Sequence, residues 1–200
     1  MSRRKMVGNV VLGISGASGA VIAHRLAREI IGMGHHLHLV CSRYGRLMWE
    51  YELECTIDRS VAEYESIGDI SVHKPGDVAA PPASGSFPVI ASAIVPCSMA
   101  TLGAIASGAG TNLLHRFADV AIKERRPLVF VPRETPLSPI HLSNMKILTE
   151  VGAVILPPMP AFYNKPQSVE DIVEEAVQRT LVAMELRSDL PEAMQWKDAD

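Results

Sequence analysis

VGNVVLGISGASGAVIAHRLAREIIGMGHHLHLVCS, residues 7–42, decides the architecture. Its first part, residues 7–15, is an uncharged, mostly apolar run that ends among glycines, the pattern of a strand covered on both faces. Over residues 20–33 the period changes. Ile22, Leu26, Ile30 and Ile31 fall near one face of a helix, and Gly32 and Gly34 mark its end. Residues 35–42 alternate and read as a second strand.

The alternation continues. Residues 43–53 can form a helix, whereas 54–86 are polar and proline-rich and predict no more than a short strand near Ile70. A strand over 89–95 follows, then helical stretches at 99–108 and 111–124, a strand at 128–132, a helix at 138–151 with Pro139 in its first turn, and a strand at 152–156. The helix over 169–186 carries Ile172, Val173, Ala176, Val177, Thr180, Leu181 and Met184 in one stripe. Alternating strands and helices imply an α/β fold: a three-layer, doubly wound parallel sheet, flavodoxin-like within the wider Rossmann-like group. Residues 1–186 are expected to form a single domain and 187–200 a C-terminal tail. Ligands of such sheets bind beyond the carboxyl ends of the strands, near the point where the winding reverses.

Composition narrows the function. Nineteen basic and 22 acidic residues leave a net charge of −3, so no global field draws nucleic acid or an anionic membrane. Cys41, Cys55 and Cys97 form no CxxC pair and no metal-ligand spacing, and an odd, scattered set suits a reducing compartment. Arg3, Arg4 and Lys5 are not followed by a signal-peptide core, and no stretch reaches the roughly 20 apolar residues of a membrane span. The expectation is a cytoplasmic protein without a bound metal. The seven histidines show no ligand spacing, and Trp49 and Trp196 read as packing groups.

Four segments can carry chemistry, and each has a plain structural alternative. Gly13-Ile14-Ser15-Gly16-Ala17-Ser18-Gly19 joins the first strand to the first helix, where small residues let backbone N–H groups approach an anion. The glycines do not follow G-x-G-x-x-G and there is no P-loop lysine, so a mononucleotide phosphate fits better than NAD or ATP; a tight turn needs the same residues. Pro96-Cys97-Ser98-Met99-Ala100-Thr101 offers hydroxyls at another helix start, and Ser98 by itself reads first as an N-cap. Cys97 reads as a small buried hydrophobe. Arg133 and Glu134 follow a strand, where a guanidinium can grip phosphate and a carboxylate can manage a proton; a surface ion pair is the bland alternative. Arg125 and Arg126 read as a solvated helix end. The proline-rich loop at 157–163 would stiffen Tyr163, and Arg179 stands on the last helix, where a solvent-facing charge is the default.

Together these segments resemble the UbiX flavin prenyltransferase family over nearly the whole chain. The matching stretches are GISGASGA at 13–20, APPASGSF at 80–87, PCSMAT at 96–101, ADVAIKERRPLVFVPRETPLSPIHLSNM at 118–145 and GAVILPPMPAFY at 152–163. Their number, order and strand-end placement make the resemblance specific.

The resemblance implies a flavodoxin-like homo-oligomer, commonly a dodecamer, with active sites between subunits. It implies transfer of a dimethylallyl group from dimethylallyl phosphate to reduced FMN without a metal, giving prenylated FMN for a UbiD-type decarboxylase. Carried over by position, Gly16, Ala17 and Ser18 would cradle the flavin with Ser42, Ser98, Met99, Ala100, Thr101 and Arg133. Lys123, Tyr163 and Arg179 would hold the donor phosphate, aided by Arg116 of a neighbouring subunit. Glu52 and Glu134 would flank the reacting centre, with Lys123 and Ser18 also in catalytic positions. Two departures stand out: Ala100 where many relatives have Lys or Gly, and Asp77-Val78 where some have Asp-Trp, which implies a donor pocket of different shape.

The rival readings are a flavin-dependent decarboxylase and a non-catalytic FMN-binding protein of the same fold. The cysteine decarboxylases carry P-x-M-N-x-x-M-W, which is absent here, and a mere carrier would not need Lys123, Glu134, Tyr163 and Arg179 together.

Overall fold

The structure is a computed structural model that describes residues 7–195. Arg3, Arg4, Lys5 and Trp196 lie outside the described residues. Six strands form one sheet: β1 (Asn9–Ile14), β2 (His36–Cys41), β3 (Ile70–His73), β4 (Val89–Cys97), β5 (Leu128–Pro132) and β6 (Val154–Ile155). Every pairing is parallel and the order is β3-β2-β1-β4-β5-β6. Without the short edge strand β3 this is the flavodoxin order, and the winding reverses between β1 and β4.

Among the described residues seven α-helices cover the sheet: α1 (Ala20–Gly32), α2 (Arg43–Leu53), α3 (Ile57–Glu65), α4 (Met99–Ala106), α5 (Leu113–Lys123), α6 (Pro139–Glu150) and α7 (Val169–Ala183). Successive residues of β1 point to opposite faces, so both faces of the strand are buried. Val10, Leu12 and Ile14 pack with Leu26 and Ile30 of α1, Trp49 of α2, Tyr64 of α3, and Val177 and Leu181 of α7. Val11 faces the other way, into a core with Leu102 of α4, Phe117 of α5, Leu148 of α6 and Phe130 of β5. Thus α1, α2, α3 and α7 form one outer layer and α4, α5 and α6 the other.

The main departure from the sequence reading is α3, in the stretch taken as irregular. Thr56 caps it by accepting from the Arg59 N–H at 3.2 Å, and Ile57 and Tyr64 are buried beneath a surface of acidic and basic side chains. The terminal strand is shorter than expected, and β4 runs two residues further, to Cys97. Trp49 is fully buried, as expected of a packing group, and sits edge-on to His24 with ring centroids 5.7 Å apart.

Three histidines that show no sequence spacing meet across β2 and β3. His38 Nδ1 lies 2.9 Å from His73 Nε2, its Nε2 lies 3.2 Å from Asn9 Oδ1, and the His36 ring stacks on it at 4.4 Å. Burial, then the neighbouring His36 and His73, push the His38 pKa down from 6.5 to about 4. Burial lowers His24, His73 and His115 as well. The unfolded chain therefore takes up protons that the fold rejects. Stability is intact above about pH 6.5 and is lost progressively as the pH falls towards 4. The melting temperature should be flat near neutrality and decline through this window, with a shallower decline for His38→Gln. An equal slope in that variant would remove His38 from the account.

Candidate functional site

Because all strands are parallel, the loops after β1, β2, β4, β5 and β6 leave the same edge of the sheet. The two loops at the winding reversal are tied through Ser15. Its N–H and its hydroxyl both donate to the Pro96 carbonyl at 3.1 Å, and its Oγ accepts from the Ser98 N–H at 2.7 Å. Ser98 in turn caps α4, accepting from the Thr101 N–H at 3.3 Å, and its hydroxyl donates to Thr101 Oγ1 at 3.1 Å. Ser42 caps α2 through the Gly45 N–H at 2.9 Å. A Cβ at Gly45 would lie 2.7 Å from the Ile14 carbonyl oxygen, so α2 begins this close to β1 because residue 45 is glycine. The starts of α1, α2 and α4 thereby converge around the ends of β1, β2 and β4, giving N–H groups and hydroxyls aimed beyond the sheet.

One of these helix starts is already occupied. Glu52, near the end of α2, accepts from the Gly19 N–H at 3.0 and 3.1 Å and from the Ala20 N–H at 2.7 Å. Gly19 has φ of 121°, a conformation open to glycine, which turns its N–H onto the carboxylate. This contact takes the amides of Gly19 and Ala20 and none of those of Gly16, Ala17 and Ser18, the residues expected to cradle the flavin. Gly16 is exposed, Ser18 is half-buried and Ala17 is buried, and they precede this contact in the loop. Ser42, Ser98 and Thr101 stand at the starts of α2 and α4, at the same edge of the sheet as Arg133. Met99 is half-buried and Ala100 exposed in the first turn of α4.

Arg133 follows β5, its N–H donating to the Cys97 carbonyl at 3.4 Å. Its side chain is exposed, and no carboxylate of the described residues pairs with it. The exposed Glu134 carboxylate accepts from the Thr135 N–H at 3.0 Å. Beyond β6, the Tyr163 hydroxyl lies 3.4 Å from Arg179 Nη2. Arg179 Nε donates at 2.9 Å to Glu175, whose other oxygen accepts from the Ala161 N–H at 3.1 Å. The Glu175 hydrogen bond, with help from Tyr163, raises the Arg179 pKa and keeps the guanidinium charged.

Lys123 and Arg116 are not brought to this group within one chain. Both lie on α5, in the opposite layer from α7, with the sheet between. Lys123 ends α5 beside the start of β5, about 16 Å of strand away from Arg133. Its ammonium pairs with Glu124 at 2.5 Å. Arg116 pairs with Asp119 at 2.5 Å, donates to the Ala83 carbonyl at 3.2 Å, and lines a cavity of about 450 Å³ with Val78, Ile105 and Ile122. Arg126 is not a solvated helix end: it donates to the carbonyls of Phe87 and Gly85 at 2.9 and 2.6 Å, fixing the loop beside Lys123. Burial raises the thiols of Cys97 and of Cys41, the latter to about 12, so neither is a nucleophile at neutral pH. Among the described residues no group of three or more His, Cys, Asp or Glu side chains is placed to hold a metal, and no helix is long and apolar enough to cross a membrane.

Sequence reasoning missed Glu175 and Arg126. The first had a signal, its i,i+4 spacing to Arg179; the second did not, because its acceptors are main-chain carbonyls about 40 residues away.

A switch-point crevice lined by hydroxyls, helix starts and an unpaired arginine defines a mononucleotide-binding α/β protein. Residues 1–181 match the Flavoprotein family model. The flavin prenyltransferase UbiX of Chlamydia pneumoniae is 45% identical over 190 residues, which cover 95% of this chain and 98% of that protein. The crystal structure of AnUbiX (PadA1) in complex with FMN and dimethylallyl pyrophosphate superposes with a TM-score of 0.87 at 39% identity, covering 98% of this chain and all of that one. A dodecameric FMN-dependent UbiX-like decarboxylase from Escherichia coli O157:H7 superposes at 0.86 with 41% identity, over 95% of this chain and all of that one. The chain belongs to the Flavoprotein family and, within it, to the UbiX flavin prenyltransferases.

Ser15→Ala deletes a buried hydroxyl that both donates and accepts. It should cost about 1–3 kcal/mol of stability, the usual penalty for orphaning buried polar groups, and should weaken FMN binding as the two loops separate. Urea unfolding with and without FMN checks both; a change in stability alone would detach Ser15 from the flavin crevice.

Proposed function

We propose that the protein joins a dimethylallyl group from dimethylallyl phosphate to reduced FMN, and that the prenylated FMN passes to a UbiD-type decarboxylase in the cytoplasm. Family membership over nearly the full chain, together with the Tyr163–Arg179 pair and the free Arg133 at the same sheet edge, supports this reading. Hydroxyls and N–H groups at Ser42, Ser98 and Thr101 with an unpaired guanidinium suit a flavin mononucleotide phosphate and need no metal ion. Reduced FMN supplies the electron-rich ring atoms to which the prenyl group is joined.

The chain's own groups do the rest. Arg179 and the Tyr163 hydroxyl grip the donor phosphate and stabilise the charge it gains as the carbon–oxygen bond breaks. Glu134, exposed beside Arg133, is free to take or return a proton once a ligand covers it. Glu52 presents its carboxylate at a point fixed by the first N–H groups of α1.

The sheet separates Arg116 and Lys123 from Arg179, so a second subunit must supply them if all contact one donor. The surface supports assembly. Tyr44, Leu47 and Tyr51 of α2, and Met159 and Phe162 of the loop after β6, are large apolar side chains left exposed beside the crevice. We read these faces as contacts in a homo-oligomer, with α5 of one copy closing the site of another.

The direct test is to incubate the protein with reduced FMN and dimethylallyl phosphate and take a mass spectrum of the extracted flavin. Unmodified flavin from protein that binds both ligands overturns the reading. Glu134→Gln should bind both ligands and turn over slowly, which stopped-flow absorbance can follow. Tyr163→Phe loses one hydrogen bond and should raise the donor KM about three- to tenfold with FMN affinity unchanged. Mixing inactive Lys123→Ala subunits with inactive Arg133→Ala subunits should restore activity in about a quarter of the sites after reassembly, because Lys123 acts on a neighbour's flavin. No recovery would place both residues in one chain's site.

A further inference from the structure

We infer that Glu175 is a positioning residue for donor binding: one buried carboxylate sets both Arg179 and the loop that carries Tyr163. The inference rests on the reading of those two residues as donor-phosphate ligands.

Glu175 lies in α7 with its side chain 7% exposed, on the face that packs towards the core beside Ala176 and Val177. A carboxylate this buried must be matched on both oxygens. One oxygen accepts from Arg179 Nε at 2.9 Å and the other from the Ala161 N–H at 3.1 Å. The first bond uses the inner edge of the guanidinium, which leaves the Nη groups pointing away, one of them 3.4 Å from the Tyr163 hydroxyl. The second fixes the loop two residues before Tyr163. That loop has little else of regular structure: it runs through Pro157, Pro158 and Pro160, which lack N–H donors, to a single turn at Phe162–Asn164. Leu156, Pro157, Pro158 and Met159 line a small cleft with Glu175 and Arg179.

The same carboxylate thus decides where the cation and the hydroxyl stand relative to each other. The Arg179 side chain is 35% exposed, and its hydrogen bond to Glu175 holds it against swinging to solvent. Glu175 does not itself reach an incoming phosphate, since both its oxygens are engaged and its charge has the wrong sign. Its part is to hold, and the loss should appear in binding of the phosphate.

Glu175→Gln separates the two anchors. A glutamine amide accepts with its oxygen, but its nitrogen is a donor and would face either the Arg179 Nε–H or the Ala161 N–H, so one anchor is lost whichever way it turns. Ala161→Pro removes only the loop anchor, at a position whose φ of −86° a proline nearly matches. Inorganic phosphate titrated calorimetrically into the FMN-saturated protein reads the donor-phosphate site with the flavin-phosphate site filled. Glu175→Gln should bind phosphate on the order of tenfold more weakly, the loss of one charge-assisted hydrogen bond, and raise the KM for dimethylallyl phosphate in step. Its FMN affinity should match the parent. Ala161→Pro should show a smaller loss of the same kind, and it serves if Glu175→Gln does not fold. Parental phosphate affinity in the folded variants overturns the inference, as does a fall in kcat with unchanged KM. Weaker phosphate binding in a protein whose parent transfers no prenyl group would uphold the positioning role and overturn the proposed function instead.

Discussion

The hydroxyl of Ser15 stands where the two halves of the sheet diverge, and the crevice depends on it. Between β1 and β4 the chain winds off in opposite directions, so the loops after these strands would have no reason to stay in register beyond the sheet. Ser15 extends the pairing by one residue without being part of a strand, through two donations to Pro96 and one acceptance from Ser98. Because Ser98 is also the cap of α4, the same hydroxyl places the first turn of that helix. The contact is buried, so water cannot replace it, and the low local dielectric strengthens it.

From that junction the sheet acts as a divider. Helix α7 belongs to one layer and α5 to the other, and each carries cations: Arg179 on the first, Arg116 and Lys123 on the second. No rotamer change carries a side chain through a sheet packed on both faces. Cations that serve one phosphate from both layers must therefore come from different copies. The exposed tyrosines and leucine of α2 make assembly the economical way to cover apolar surface that the fold leaves out.

How much of this could be read from the chain alone depended on the range of the interaction. The strands β1, β2, β4 and β5 and the helix α7 were legible, because burial on two faces or on one stripe prints its period directly onto residues near in sequence. The helix α3 was not, since Asp58, Arg59, Glu63 and Glu65 outnumber Ile57, Val61 and Tyr64 and hide an i,i+4,i+7 spacing. At the site, Ser98, Arg133 and Tyr163 were legible as strand-end residues. The hold of Glu52 on Gly19 and Ala20, of Arg126 on Gly85 and Phe87, and of Glu175 on Ala161 was not. Each ends on a main-chain group, and any residue offers a main-chain group, so composition carries no trace of it.

These main-chain contacts share a physical logic. The protein has a slightly negative net charge and yet must collect anions, so its positive potential has to be local and protected from its own carboxylates. Two acids lie close enough to neutralise the site, and both are disposed of by hydrogen bonds that fix their direction. Glu52 is drawn onto the start of α1, where it satisfies the helix and leaves α2 and α4 for a ligand. Glu175 is buried under the proline loop, where its charge steadies the inner edge of Arg179 while the outer edge stays open. Arg133, by contrast, forms no ion pair with a carboxylate of the described residues. The nearest carboxylate decides how each arginine is presented: Glu175, four residues away on the same helix, fixes the inner edge of Arg179, whereas Glu134, next to Arg133 in sequence, accepts from the Thr135 N–H and leaves that guanidinium open.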